Sequence, residues 1–89
     1  MRYMVIETFI RGARPVYERA SELGRMLPDG LHFIDSWVDA NDLHRCFQLM
    51  ETDDPALIDE WISKWSDLAR FEVVPVLSSD EARRRALGG

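Results

Sequence analysis

The side chains that could take part in chemistry are concentrated in residues 31–51, and one further carboxylate lies near the start of the chain. In this stretch polar groups alternate with apolar residues on both sides of a short break at residues 40–42. A mostly apolar surface with a few polar groups is typical of a small-molecule site, and also of a subunit interface. The candidate pocket residues are Glu7, His32, Asp35, Ser36, Trp37, Arg45 and Gln48.

Residues 31–51 are predicted to form a β-hairpin, since both arms are rich in β-branched and aromatic residues. If residues 40–42 form the loop, Trp37 lies opposite Arg45, and this register permits a cation–π contact between them. Asp35 is close enough diagonally to form an ion pair with Arg45. A buried pair of this kind either braces the core or points into a ligand pocket. Which face of the hairpin meets the helices stays open.

Metal, haem and thiol chemistry have weak support in the sequence. In the predicted register His32 and His44 lie roughly 20 Å apart along the strands, whereas metal ligands lie about 2 Å from their ion. Cys46 is predicted to lie opposite Ser36 and two residues from His44. A buried thiol that packs as a small apolar group is the preferred interpretation. We therefore expect no metal site and no tightly bound cofactor.

Composition and charge exclude several classes of function. The chain has 89 residues, enough for one domain. Its net charge of -5 argues against a general nucleic-acid binder, and the basic run at residues 83–85 is too short to change this. The single cysteine, Cys46, fits a reducing compartment. Since no signal peptide and no apolar stretch of about 20 residues is recognisable, we expect a cytoplasmic protein without membrane contact.

The first half of the chain predicts a strand followed by a helix. Residues 2–9 form the strand, and Glu7 lies either in the middle of the sheet or, as the favoured interpretation, at its rim. The helix begins at Arg14 or Pro15, where proline is tolerated in the first turn. Helical spacing gives it one apolar stripe, formed by Val16, Ala20, Leu23 and Leu27.

The second half predicts a helix, a strand and a short helical tail. Asp54 is the expected N-cap of the second helix, and Trp61 and Trp65 lie in its apolar stripe, where packing in the core is favoured over a stacking platform for a ligand. Residues 71–77 form the last strand, at an edge of the sheet because it contains a proline. Residues 78–89 form the tail, which begins with a capping box and ends in a frayed pair of glycines.

The element order strand, helix, strand, strand, helix, strand is that of a ferredoxin-like α+β fold. We expect residues 1–77 to form one four-stranded antiparallel sheet with both helices on one face. Since neither face of the hairpin is polar throughout, the second sheet face needs a cover as well. The simplest cover is a second copy of the chain, so we expect a homodimer.

Four segments resemble a family of short bacterial proteins that is known only as a domain of unknown function. They are residues 4–9, 24–28, 35–37 and 45–54, and the resemblance covers residues 1–76. It implies a dimeric α+β barrel. It brings no activity and no catalytic residues. The wider superfamily includes cofactor-free monooxygenases, isomerases, haem enzymes and binding proteins, and a fold alone does not choose among these.

Two functional hypotheses follow. In the first, the dimer has an apolar pocket in each subunit and binds or transforms a small apolar or aromatic molecule, as a monooxygenase or isomerase would. In the second, the protein is a non-catalytic ligand-binding or protein-interaction module. A cavity lined by the candidate residues would favour the first hypothesis, and a solidly packed core would favour the second.

Overall fold

The computed structural model describes residues 1–88, and Gly89, the last residue of the predicted frayed end, lies outside them. The predicted order of elements is confirmed. The elements are β1 (Arg2–Phe9), α1 (Ala13–Leu23), β2 (His32–Asp39), β3 (Asp42–Glu51), α2 (Ala56–Ser63), β4 (Ala69–Val76) and α3 (Ser79–Gly88).

The four strands form one open antiparallel sheet in the order β2-β3-β1-β4. This is the α+β, ferredoxin-like arrangement predicted from the sequence. β1 and β3 are the central strands. Side chains on their helix-facing side therefore lie beneath the helices and have a neighbouring strand on each side. β4 is an edge strand, as Pro75 requires.

The register of the hairpin differs from the prediction. The turn is one residue tighter than expected, since Asp39 pairs with Asp42, and the ladder is irregular just beyond it. Local hydrogen bonding accounts for the tight turn, because the carboxylates of both residues accept backbone N–H bonds from the residues two positions further on, at 2.9 Å each. The ladder then skips residues 43–45 of β3, since Val38 pairs with Cys46. Trp37 therefore lies opposite Phe47, not opposite Arg45.

A second irregularity lies lower in β2. Phe33 pairs with Met50 and Asp35 pairs with Leu49, so Ile34 is the extra residue between them. A single extra residue reverses the faces of the residues beyond it. Phe33 therefore shares the helix-facing side with Ser36, whereas the uninterrupted alternation of the prediction had placed it on the other side.

The core lies between the sheet and the segments that contain α1 and α2. Trp61 is 1% exposed and Trp65 is 5% exposed, so the prediction that both pack in the core is confirmed. The indole N–H groups of both donate to the backbone carbonyl of Arg25, at 2.8 and 3.0 Å. The main cluster of buried apolar residues is Val5, Leu31, Met50, Ile58, Trp61, Trp65 and Leu68.

α1 packs more loosely than the sequence predicts. It has no buried residue, and Leu23, expected in the apolar stripe, is 60% exposed. The helix ends at Gly24, whose φ of 67° is a conformation that favours glycine. Leu27 is therefore not on the helix, and the stripe is shorter than predicted. The loose contact leaves space between α1 and the sheet.

The opposite side of the sheet, here called the outer sheet face, belongs to neither cluster of buried core residues. Trp37 on this face is 50% exposed. α3 has no buried residue, and one half of its predicted capping box forms, since the Glu81 backbone N–H donates to the Ser78 hydroxyl at 3.1 Å. The outer sheet face carries Met4, Ile6, Trp37, Phe47, Leu49 and Val74.

Candidate functional site

A cavity of about 180 Å³ lies between α1 and the helix-facing side of β1, β2 and β3. It exists because α1 does not pack closely on the sheet at this point. Most of its wall is apolar, with a few polar side chains at one end, which is the usual composition of a small-molecule site. The apolar part of the wall is formed mainly by Phe9, Val16, Ala20, Val38, Trp61 and Trp65.

Glu7 is one of two buried polar side chains of this cavity, the other being Gln48. It is 4% exposed and lies on the central strand β1, paired with Cys46 on β3. The favoured sequence interpretation, a carboxylate at the rim of the sheet, is therefore wrong. The strand alternation that places Val5 and Phe9 in the core carries Glu7 to the same side.

Gln48 connects Glu7 to a cation. Its side-chain N–H donates to the Glu7 carboxylate, and its carbonyl oxygen accepts a hydrogen bond from Nε of Arg25 at 3.1 Å. Because a guanidinium only donates, this contact turns the amide so that its NH₂ group faces Glu7. The neutral amide of Gln48 thus links the guanidinium of Arg25 to the carboxyl of Glu7.

Arg25 is held from several sides although it follows the end of α1 in a loop. Its guanidinium lies 3.6 Å from the centre of the Phe33 ring, and its Nη2 donates to the Ser36 hydroxyl at 3.4 Å. The Trp61 and Trp65 indoles fix its backbone carbonyl. The cation is therefore positioned by β2, β3 and α2 together.

Burial changes the proton affinity of the groups in the cavity. Desolvation raises the pKa of Glu7 above its ordinary value, while the hydrogen bond from Gln48 and the positive charge of Arg25 act in the opposite direction. Desolvation and the nearby Glu7 carboxyl raise the pKa of the Cys46 thiol to about 12. Cys46 is therefore a neutral thiol at pH 7, which agrees with its interpretation as a small packing group.

The comparisons with known proteins give a family but no activity. A family model described as "Domain of unknown function (DUF3303)" matches residues 1–88. The chain belongs to this family. No curated protein and no solved structure matches it. The resemblance found in the sequence is thus confirmed, and the match extends beyond residue 76 to include α3.

The family domain brings together three of the seven candidate residues, namely Glu7, Ser36 and Gln48, which all line the cavity. The other four lie elsewhere. His32 lines a separate, shallow depression, and the remaining three are on the strand positions that point away from the helices. Those three are Asp35, Trp37 and Arg45.

The predicted contacts of Arg45 do not form. Its guanidinium lies over Phe47, 4.9 Å from the ring centre, and not over Trp37. Asp35 accepts a hydrogen bond from the backbone N–H of Ser36 and forms no ion pair among residues 1–88. The corrected hairpin register is the cause, because it moves Arg45 towards the irregular end of the ladder.

Sequence reasoning missed Arg25 and Tyr17. Tyr17, at the mouth of the cavity, packs edge-on against Phe9 with 6.4 Å between ring centres. Charged and amphipathic side chains are common along helices, so their residue types alone did not mark these two positions as part of a site. A usable signal was present at Gly24, since a glycine that ends the helix turns the next residue back towards the sheet.

Two structural features are absent from residues 1–88, a metal-binding cluster of side chains and a membrane-spanning helix. Within residues 1–88 no group of three or more His, Cys, Asp and Glu side chains is placed to hold a metal ion. No helix in that range is long and apolar enough to cross a membrane.

Proposed function

We propose that the protein binds a compact organic molecule in the cavity beside Glu7 and transfers a proton to or from it, as an isomerase would. The observation that supports this most strongly is a buried carboxyl in the wall of a mostly apolar cavity. A general acid or base works best when its pKa lies near the working pH. Burial moves the pKa of Glu7 in that direction.

The size of the cavity limits what it can hold. Its volume of about 180 Å³ is close to that of an engineered apolar cavity of roughly 150 Å³ that binds benzene. Sites for drug-sized ligands are larger, about 300–1,000 Å³. The proposed substrate is therefore a molecule with about one ring, and the proposed chemistry uses no tightly bound organic cofactor.

The surroundings of Glu7 support proton transfer more than oxygenation. Gln48 and the cross-strand pairing hold the carboxyl in one place, and Arg25 supplies positive charge on the same wall. When a base removes a proton from a carbon beside a carbonyl, negative charge develops on the oxygen, and a fixed cation or N–H donor stabilises it. Glu7 would exchange a proton with the substrate carbon, and Arg25 would lie towards the negative charge on the substrate.

The quaternary structure in this proposal is a homodimer formed through the outer sheet face. Its apolar side chains and the half-exposed Trp37 support this arrangement, since a second copy would remove them from water. The dimeric α+β barrel implied by the family resemblance stays a prediction. The lone Cys46, which has no cysteine partner in the chain, supports a cytoplasmic location.

Deuterium exchange tests the proposed reaction. Acetophenone and phenylpyruvate are compact carbonyl compounds, one neutral and one anionic, whose acidic C–H groups exchange slowly in D₂O. We expect the protein to accelerate exchange of at least one of them, observed by proton NMR. Glu7→Gln should reduce the acceleration by about 100-fold or more, the usual contribution of general acid–base catalysis.

Two controls separate the cavity from the rest of the molecule. Glu72 is an exposed carboxylate on the outer sheet face, opposite Ile6, so Glu72→Gln should exchange at the wild-type rate. Ala20→Trp fills the cavity and should abolish exchange, whereas Ala82→Trp on α3 should not. Exchange that survives Glu7→Gln would contradict the proposal. Binding of both compounds without any exchange would favour the non-catalytic ligand-binding module.

A further inference from the structure

We propose, on the basis of the proposed function, that the molecule bound in the cavity carries a carboxylate and that Arg25 binds this group. The apolar body of the ligand would then lie against the aromatic wall, with its reactive carbon towards Glu7. This assigns a chemical class, compact aromatic or unsaturated carboxylates, to a site that the family description leaves without a ligand.

The first support is the geometry of Arg25. Two of its nitrogens, Nε and Nη2, are committed to Gln48 and Ser36, and the plane of the guanidinium is stacked on Phe33. Nη1 has no hydrogen-bond partner within residues 1–88. A guanidinium whose plane is already fixed loses little conformational freedom when it binds a carboxylate.

The second support is the absence of a neighbouring counter-ion. Arg2, Arg14 and Arg19 each form an ion pair with a carboxylate of the chain, whereas Arg25, like Arg45 and Arg70, forms none among residues 1–88. In the described part of the chain, Arg25 has no carboxylate within ion-pair distance, and it reaches Glu7 only through the amide of Gln48.

The third support is the charge of the cavity as a whole. Glu7 and Arg25 are the two residues with ionisable carboxyl or guanidinium groups in its wall. The Glu7 carboxyl accepts a hydrogen bond from Gln48, and Arg25 reaches it only through that amide. Arg25 is therefore the charged group of the wall that has a donor left for a ligand, and an anion is the ligand that it complements. The apolar part of the wall, which includes two indole rings, fits a flat ring system.

NMR titration with benzoate and benzamide tests this inference, because the two molecules have similar shape and differ in charge. The indole N–H groups of Trp61 and Trp65 report on the cavity, and that of Trp37 on the outer sheet face is an internal control. We expect benzoate to shift the first two resonances and not the third. Benzamide should bind at least about tenfold more weakly, equivalent to ~1.4 kcal/mol.

Substitutions at two arginines complete the test. Arg25→Met should bring the benzoate and benzamide dissociation constants together, whereas Arg25→Lys should retain part of the preference for benzoate. Arg45→Met, on the outer sheet face, should leave both constants unchanged. The spectra of the three indoles in each free variant report whether the fold is retained, and the wild-type ratio alone decides the question if Arg25→Met does not fold.

The two ways of failing are distinct. Equal affinities of wild-type protein for benzoate and benzamide, with shifts of Trp61 and Trp65, would overturn the carboxylate inference and leave the cavity as a ligand site. If neither molecule shifted these resonances at millimolar concentration, both the inference and the proposed function would be overturned.

Discussion

At the scale of single residues, the most important quantity is the free-energy cost of burying the Glu7 carboxyl. A carboxyl buried in a sheet is costly when ionised, and its remaining stabilisation comes from one amide and one distant cation. A sequence optimised only for stability would place an apolar residue there, as it does at Val5 on the same strand. The proposed role in the cavity gives a physical reason for a carboxyl at this position.

The position of Glu7 predicts how stability depends on pH. Its pKa is raised above 4.5 in the folded protein, so the folded state keeps a proton that the unfolded chain has already lost. The free energy of unfolding should then decrease as the pH rises from about 4.5 through the folded pKa. Glu7→Gln cannot ionise, and should lack this decrease.

Urea unfolding of both proteins between pH 4 and pH 8 measures the effect. Tyr17, Arg25 and Cys46, which face Glu7 from α1, the following loop and β3, are present in both proteins and cancel in the comparison. The difference in unfolding free energy should move in favour of Glu7→Gln as the pH rises. Parallel curves would show that Glu7 has its ordinary pKa in the folded state.

At the scale of elements, the site depends on how α2 and the turn after it hold the loop after α1. The Arg25 carbonyl accepts two indole N–H bonds, and the Lys64 ammonium group donates to the Met26 carbonyl at 3.0 Å. Met26 has a φ of 60°, which is unfavourable for a residue other than glycine. These three bonds, one from α2 and two from the residues that follow it, stabilise the loop conformation that directs Arg25 towards the sheet.

Phenylalanine substitutions of the two tryptophans should show that the loop is held cooperatively. Trp61→Phe or Trp65→Phe alone leaves the Arg25 carbonyl with one donor, so each hydrogen bond lost should cost about 1 kcal/mol. The double variant leaves the carbonyl without either indole, and should cost more than the sum of the two. Thermal or urea unfolding of the four proteins measures this, and simple additivity would show that the two bonds act independently.

The comparison of sequence and structure is clearest at the element scale. Alternation and helical spacing predicted the order of elements and the buried tryptophans, and Pro75 predicted the edge position of β4, because these depend on local sequence. The hairpin register was missed, because the ladder skips residues 43–45 of β3 next to a turn held by Asp39 and Asp42, and because Ile34 is an extra residue in β2. These details arise from a few local bonds that no periodic pattern records.

The candidate site was predicted in part for the same reason. Glu7, Ser36 and Gln48 share a strand face with apolar core residues, which alternation can identify. Arg25 reaches the cavity only because α1 ends at Gly24 and two distant indoles fix the next residue. Contacts that join a loop to an element some forty positions later are not visible in local spacing.

At the scale of the whole molecule, we predict that the outer sheet face forms the interface of a homodimer. The chain should sediment as a dimer at micromolar concentration. Trp37→Glu places a charge among the apolar side chains of this face, and should weaken the dimer by about 100-fold or more, equivalent to ~2.7 kcal/mol. Leu87→Glu on α3, where the residue is 75% exposed, is the matched control and should leave the dimer unchanged. A wild-type monomer would contradict the proposed assembly.

The central claim, that Glu7 is a buried acid–base group in a ligand cavity, is tested most directly by its own titration. Carbon-13 NMR of the side-chain carboxyl, assigned by comparison with Glu7→Gln, gives its pKa in the folded protein. The account predicts a value clearly above 4.5, the ordinary value for a glutamate, and a further change when benzoate occupies the cavity. A pKa at or below 4.5 that does not respond to benzoate would contradict it.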